Sequence, residues 1–146
     1  MGLVRAISTA ASGLTAQRVR MDVVAANIAN MNTTRTPDGD GPYLRRVVRF
    51  AAAGASPFDP VASRLGRYRS GVVVASTAID RDTPTRRVYD PGHADADEDG
   101  FVEMPNVDVV TEMTNLTSAN RSYGANVTVL NAVKEMALRA LDIANR

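Results

Sequence analysis

Residues 105–146 read PNVDVVTEMTNLTSANRSYGANVTVLNAVKEMALRALDIANR, and the apolar spacing inside them decides the fold. Pro105 interrupts the preceding structure, Asn106 reads as an N-cap, and Asp108 falls in the first turn, where the helix dipole favours an acid. From Val109, steps of four and three run through Met113, Leu116, Tyr123, Val127, Leu130, Ala137, Leu141 and Ala144. Only Asn120 and Lys134 interrupt that register. A second stripe lies beside it over the last turns: Val129, Val133, Met136, Ala140 and Ile143. The apolar face is therefore broader than one coiled-coil seam requires.

The other end of the chain has a matching pattern. Leu3, Ile7, Ala10, Leu14, Met21, Val24, Ile28 and Met31 keep the same steps over four heptads, with Gln17 the one polar member. Asn and Thr residues and then Pro37-Asp38-Gly39 supply the turn chemistry that ends this helix. The chain is thus expected to be mainly α with a small β insert, its terminal helices forming an antiparallel coiled-coil core. Residues 1–34 and 105–146 would make one discontinuous core domain, and 35–104 the β and loop insert. Within the insert, residues 43–50, 71–79 and 86–89 read as strands and 51–70 as a loop rich in Ala, Gly, Ser and Pro. Asp90-Pro91-Gly92 then turns the chain.

The breadth of the last helix bears on function. One partner helix covers one stripe and leaves the other in water. Burying a large apolar side chain is worth about 1.5–3 kcal/mol, while ordering each residue costs about 1–2 kcal/mol of backbone entropy. A polymer or bundle would order helices that an isolated chain holds poorly. Gly13 and Gly124 lie within the helical segments, and Gly124 reads as a site of close helix approach, since Gly otherwise costs about 1 kcal/mol against Ala there.

Composition narrows the classes. The 146 residues suit one domain of ordinary size, 45% hydrophobic and 23% charged, with 5% aromatics and no Trp. With no Cys, disulfides, thiolate nucleophiles and Cys-based metal sites are excluded. No apolar run approaches the length of about eighteen needed to span a bilayer, and the N-terminus makes a poor signal peptide because Ser8, Thr9 and Ser12 break its apolar stretch. The net charge of +1 hides segregation: residues 1–89 carry thirteen Arg and six acids, whereas 90–120 carry eight acids and no base. Subunit-to-subunit complementarity is one reading of that pattern. A nucleic-acid or acidic-lipid binder is another, but Tyr43, Phe50, Phe58, Tyr68 and Tyr89 are too dispersed for a stacking surface.

Catalytic motifs find no support. His93 is the single histidine, and neither a nucleophile elbow nor a Gly-rich phosphate loop occurs. Asp95-Ala96-Asp97-Glu98-Asp99-Gly100 opens like an EF-hand calcium loop, yet the twelfth position is Asn106 instead of Glu, and Glu103 comes three residues early. Calcium binding through Asp95–Asp99 stands as the alternative function, with an acidic solvated turn as the plainer reading.

Ser12-Gly-Leu-Thr-Ala-Gln17, followed by Asn27-Ile-Ala-Asn30 and Thr33, resembles the N-terminal signature of bacterial flagellar axial proteins. Met104-Pro105-Asn106-Val107-Asp108-Val-Val-Thr-Glu-Met113 and Arg121-Ser-Tyr123-Gly-Ala-Asn126-Val127 resemble the proximal-rod type of that rod and hook family. Val88-Tyr-Asp-Pro-Gly-His93, Gly100-Phe-Val102 and Gly41-Pro-Tyr43 with Val47-Val48 are similar to the segment between, and residues 51–70 depart from the pattern. The resemblance implies a non-enzymatic subunit of a tubular rod in the periplasm, which transmits motor torque and uses no cofactor. Its partners would be copies of itself, other rod proteins and the flagellar type III export apparatus, which would explain a missing cleaved signal. Nucleic acid, a membrane span, a metal and a small-molecule substrate are not implied. The residues expected to carry assembly are Leu3, Ile7, Leu14, Met21, Val24, Ile28, Met113, Leu116, Tyr123, Val127, Leu130, Val133, Met136 and Leu141.

Overall fold

The computed structural model describes residues 2–37, 41–53 and 71–144. Helix α1 spans Gly2–Ala29 and helix α2 spans Val109–Ala144, with strands β1 (Arg46–Ala52), β2 (Val72–Ile79), β3 (Arg86–Tyr89) and β4 (Phe101–Met104) between them. Two long helices and a small β region agree with the sequence reading. Most of the expected 51–70 loop, with Arg64 and Arg69, and Asp38-Gly39 of the expected turn lie outside the described residues.

Each helix end has a local cause. α1 stops before the expected Pro37 turn because Asn30 intervenes: its Nδ2 donates to the Ala26 carbonyl over 2.8 Å, and its Oδ1 accepts from the Thr33 hydroxyl. The side chain thereby adds a second donor to a last-turn carbonyl that already accepts the Asn30 N–H over 3.1 Å. At the start of α2 the expectation is corrected. Asp108 is the cap, its Oδ2 accepting from both the N–H and the hydroxyl of Thr111, and Asn106 lies buried upstream. A carboxylate three residues before Thr111 reaches the exposed N–H groups; Asn106 is two residues too early and is claimed by other partners.

The chain divides into two compact units. The first comprises Met1–Val19, Arg49–Ser76 and Ser118–Arg146. Ala10, Ala16, Ala119 and Val133 are buried in it. Small side chains allow helices to approach, and a Cβ placed on Gly13 would stand 2.8 Å from Nδ2 of Asn126. Gly124 differs from expectation: a Cβ there would meet nothing within 4 Å, so the close approach belongs to Gly13. The hydroxyl of Ser12 accepts a hydrogen bond of 3.1 Å from the Val72 N–H, seating the start of β2 on α1. Gln17 has its Oε1 buried with no hydrogen-bond partner, the one such side-chain atom among the described residues.

The second unit comprises Arg20–Val48 and Thr77–Thr117. Its ribbon pairs β3 with β4 antiparallel, from Arg86 opposite Met104 to Tyr89 opposite Phe101. β4 is an element the strand reading left out, since four residues between an acidic turn and Pro105 give too short an alternation to register. The turn is built by Asp97, whose Oδ1 accepts from the N–H groups of Asp99 and Phe101, and by Gly100 at φ +80°, where a Cβ is disfavoured. Val102 points inward from β4 and is buried. β1 pairs with β2; Asp80 N–H bonds the Arg45 carbonyl at one end and Ala53 N–H the Gly71 carbonyl at the other, so the strands run in opposite directions.

Candidate functional site

Two arrangements stand out, a closed polar node and an open apolar helix face. The node begins at Asn27, which is fully buried on α1. Its Nδ2 donates to Oε2 of Glu112 and to the Arg46 carbonyl, both over 2.9 Å. Its Oδ1 accepts from the Tyr43 hydroxyl and from the Arg46 N–H, again over 2.9 Å. Two donors and two lone pairs are all that an Asn amide has, and every one is used. That completeness is why a fully buried amide can be tolerated here.

Glu112, on the first turn of α2, is equally buried. Its other oxygen, Oε1, accepts from Nε and Nη2 of Arg45 over 2.9 and 2.8 Å and from Nδ2 of Asn115 over 3.3 Å. Both guanidinium N–H groups converge on that one oxygen, which leaves Oε2 to Asn27, and charge assistance makes these bonds stronger than neutral ones. Arg45 also lies 3.5 Å from Asp80, whose carboxyl is held below the usual carboxylate range by the N–H and hydroxyl of Thr83. Burial pushes the Tyr43 hydroxyl up, against the lowering influence of Arg46, whose guanidinium carbon lies 5.8 Å from the ring centre.

Asn106 closes the arrangement from the α2 side. Its Oδ1 accepts from the Arg45 N–H over 2.7 Å, and its Nδ2 donates to the carbonyls of Asp80 and Thr83, each over 2.9 Å. Arg20 reaches Oδ1 of Asn115 over 3.3 Å. The family-motif residues Asn27 and Asn106 thus serve one network with Tyr43. Arg45, Asp80 and Glu112 complete it, and none of those three was singled out from sequence. The available signal was faint: two adjacent arginines, Arg45-Arg46, at the start of a strand that carries a third at Arg49.

The remaining motif residues have other roles. Pro105 is buried; Met104, Val107 and Tyr123 are half-buried; Asn126 sits against Gly13. Among the stripe residues, Val24 and Val133 are buried, and Leu14, Met21, Ile28, Leu116, Tyr123, Val127 and Leu130 are half-buried. Leu3, Ile7, Met113, Met136 and Leu141 are exposed. On α2, Val129 at 50%, Met136 at 54% and Ile143 at 76% of full accessibility recur every seven residues and share one exposed stripe, while Leu141 is exposed on another side of the helix. Isolated apolar residues on a surface are ordinary; a stripe repeated over four turns is not.

The acidic turn is occupied by the chain's own donors. Asp95 takes the Thr34 hydroxyl and the Arg35 guanidinium, and Asp97 takes Arg87. The Phe101 N–H holds the Asp97 carboxyl below the usual carboxylate range. Among the described residues, no group of three or more His, Cys, Asp or Glu is arranged to hold an ion. Nor is any described helix long and apolar enough to cross a membrane.

Residues 7–35 match the family model described as flagella basal body rod protein, and residues 98–143 match that of the flagellar basal body rod FlgEFG protein C-terminal. Both matched segments contain a side of the node, Asn27 in one and Glu112 in the other. The curated relative from Borreliella burgdorferi, a flagellar basal-body rod protein FlgC, is 45% identical, with 98% of each chain covered. The protein of the same name from Bacillus subtilis is also 45% identical, over 94% of this chain and 95% of that one. That from Salmonella typhimurium is 43% identical over 98% of each.

Proposed function

Because the chain belongs to the FlgC family of flagellar basal-body rod proteins, we propose that it is a structural subunit of the basal-body rod that assembles through the terminal helices. The observation that carries the assembly mechanism is the exposed face of α2, Val129 to Ile143, on a helix that already has a buried side at Ala119 and Val133. One side of α2 is used within the subunit. The exposed stripe beside it is offered to neighbours, which are further copies and other rod proteins.

Residues 1–34 and 105–146 form the discontinuous core domain of this proposal, with 35–104 as its outer insert. The helices pair antiparallel as a coiled coil. In support, Gly13 meets Asn126, Arg20 meets Asn115 and Asn27 meets Glu112, partner numbers falling as α1 rises. Torque passes through that packing without catalysis, so the subunit needs neither cofactor nor substrate. Its place is the periplasmic part of the basal body, reached through the flagellar type III export apparatus without cleavage of a signal.

Leu130→Asp places a charge on the packing stripe. In a deletion strain complemented with this variant, the chain should be produced and the cells should fail to swim. Full motility at normal expression would refute assembly through this helix.

A further inference from the structure

We infer that Asn27, Arg45 and Glu112 form a register pin, fixing which turn of α1 faces which turn of α2. This rests on the helix pairing proposed above and assigns its alignment to the polar node instead of the apolar seam. The apolar part of the seam is smooth, and the close Gly13–Asn126 contact that adds to it is removed in the test below, where both positions become cysteine. α1 buries Ala10, Ala16 and Val24, and α2 buries Ala119 and Val133. Apolar burial is non-directional, and both stripes repeat every three or four residues. Sliding one helix by a turn of about 5.4 Å puts one small apolar side chain where another stood.

Hydrogen bonds do not survive that slide. Asn27 would lose Glu112 while remaining tied to Tyr43 and Arg46, or lose all three. Glu112, fully buried, would lose the Arg45 fork. Wrong registers strand buried polar groups, which is how one polar position selects register among apolar alternatives. The pin has a third arm, because residues 43–46 belong to neither helix yet bond to both Asn27 and Glu112. A fixed register would present Val129, Met136 and Ile143 at the same level in every copy.

The absence of cysteine allows an intramolecular choice to be engineered. In the full chain carrying Gly13→Cys, Asn126→Cys and Leu130→Cys, the thiol at position 13 can link to 126, its present neighbour, or to 130, one turn further. The chain is equilibrated in a glutathione buffer and the links are mapped by mass spectrometry. With the node intact, the 13–126 link should exceed 13–130 by about a hundredfold or more. Adding Asn27→Leu, Arg45→Met and Glu112→Leu should bring the two links toward parity in a chain that still forms them above the level seen in denaturant. Undiminished selectivity in the apolar-node chain overturns the inference. So does an apolar-node chain that forms neither link above the level seen in denaturant, since the node would then be needed for folding and not for register. A node-intact chain with no preference for 126 would instead refute the helix pairing, and the pin with it.

Discussion

Nδ2 of Asn27 donates a 2.9 Å hydrogen bond to Oε2 of Glu112, joining residues 85 positions apart at the centre of a closed polar network. Removing one member of a buried ion pair leaves the other uncompensated. Glu112→Ala should therefore lower unfolding stability by about 3–5 kcal/mol. Glu112→Gln keeps an acceptor for Asn27 and should cost less, about 1–3 kcal/mol. Urea unfolding of the two variants checks this, and equal stability of Glu112→Ala and the parent would show the node unformed in solution.

The pH dependence follows from the carboxylates that the fold holds below their usual range. Asp108 is held there by the hydroxyl and N–H of Thr111, Asp80 by Thr83, and Asp97 by the Phe101 N–H. A folded-state pKa below the unfolded value stabilises the fold above the unfolded pKa, and that contribution is lost as pH falls. Helical circular dichroism should hold down to about pH 4 and fall below it. Asp108→Asn should flatten part of that fall. Tyr43 has the opposite sign: burial raises it, so stability is full below its unfolded pKa and declines as pH climbs above about 10. Tyr43→Phe should remove the alkaline decline while losing the bond to Asn27, at about 0.5–1.5 kcal/mol.

Gly13 and Gly124 should respond oppositely to added bulk. Gly124→Ala adds a methyl into open space within a helix and should stabilise by about 0.5–1 kcal/mol. Gly13→Leu drives a side chain into Asn126 and should destabilise by about 1–3 kcal/mol. Thermal unfolding of both decides it; similar midpoints for the two would mean the approach of α1 to Asn126 is absent.

The helices were legible because an apolar stripe at steps of three and four is a local pattern, visible without knowing the partner. Asn27 and Asn106 were legible only through family resemblance, as nothing local marks an Asn whose four hydrogen bonds close within the fold. Glu112 lay in the Met104–Met113 stretch that carries the resemblance, but nothing in it marked a buried role. An acid in the first turn of a helix ordinarily serves the dipole in water, and its partner Arg45 lies 67 residues away. Asn106 was misplaced as the cap because Asn and Asp both suit that position, and three-dimensional partners decided between them. β4 escaped notice for want of length, its Phe101, Val102 and Met104 making too short a run between an acidic turn and Pro105.

Assembly through the outer face of α2 is tested most directly by Met136→Asp, which alters an exposed side chain at the middle of that face and leaves the node untouched. Basal bodies isolated from cells producing the variant are to be assayed for the chain by immunoblot, alongside circular dichroism of the purified protein. The expected result is a chain of unchanged helicity that is missing from the basal bodies. The variant present in basal bodies at the parental level would contradict assembly through this face.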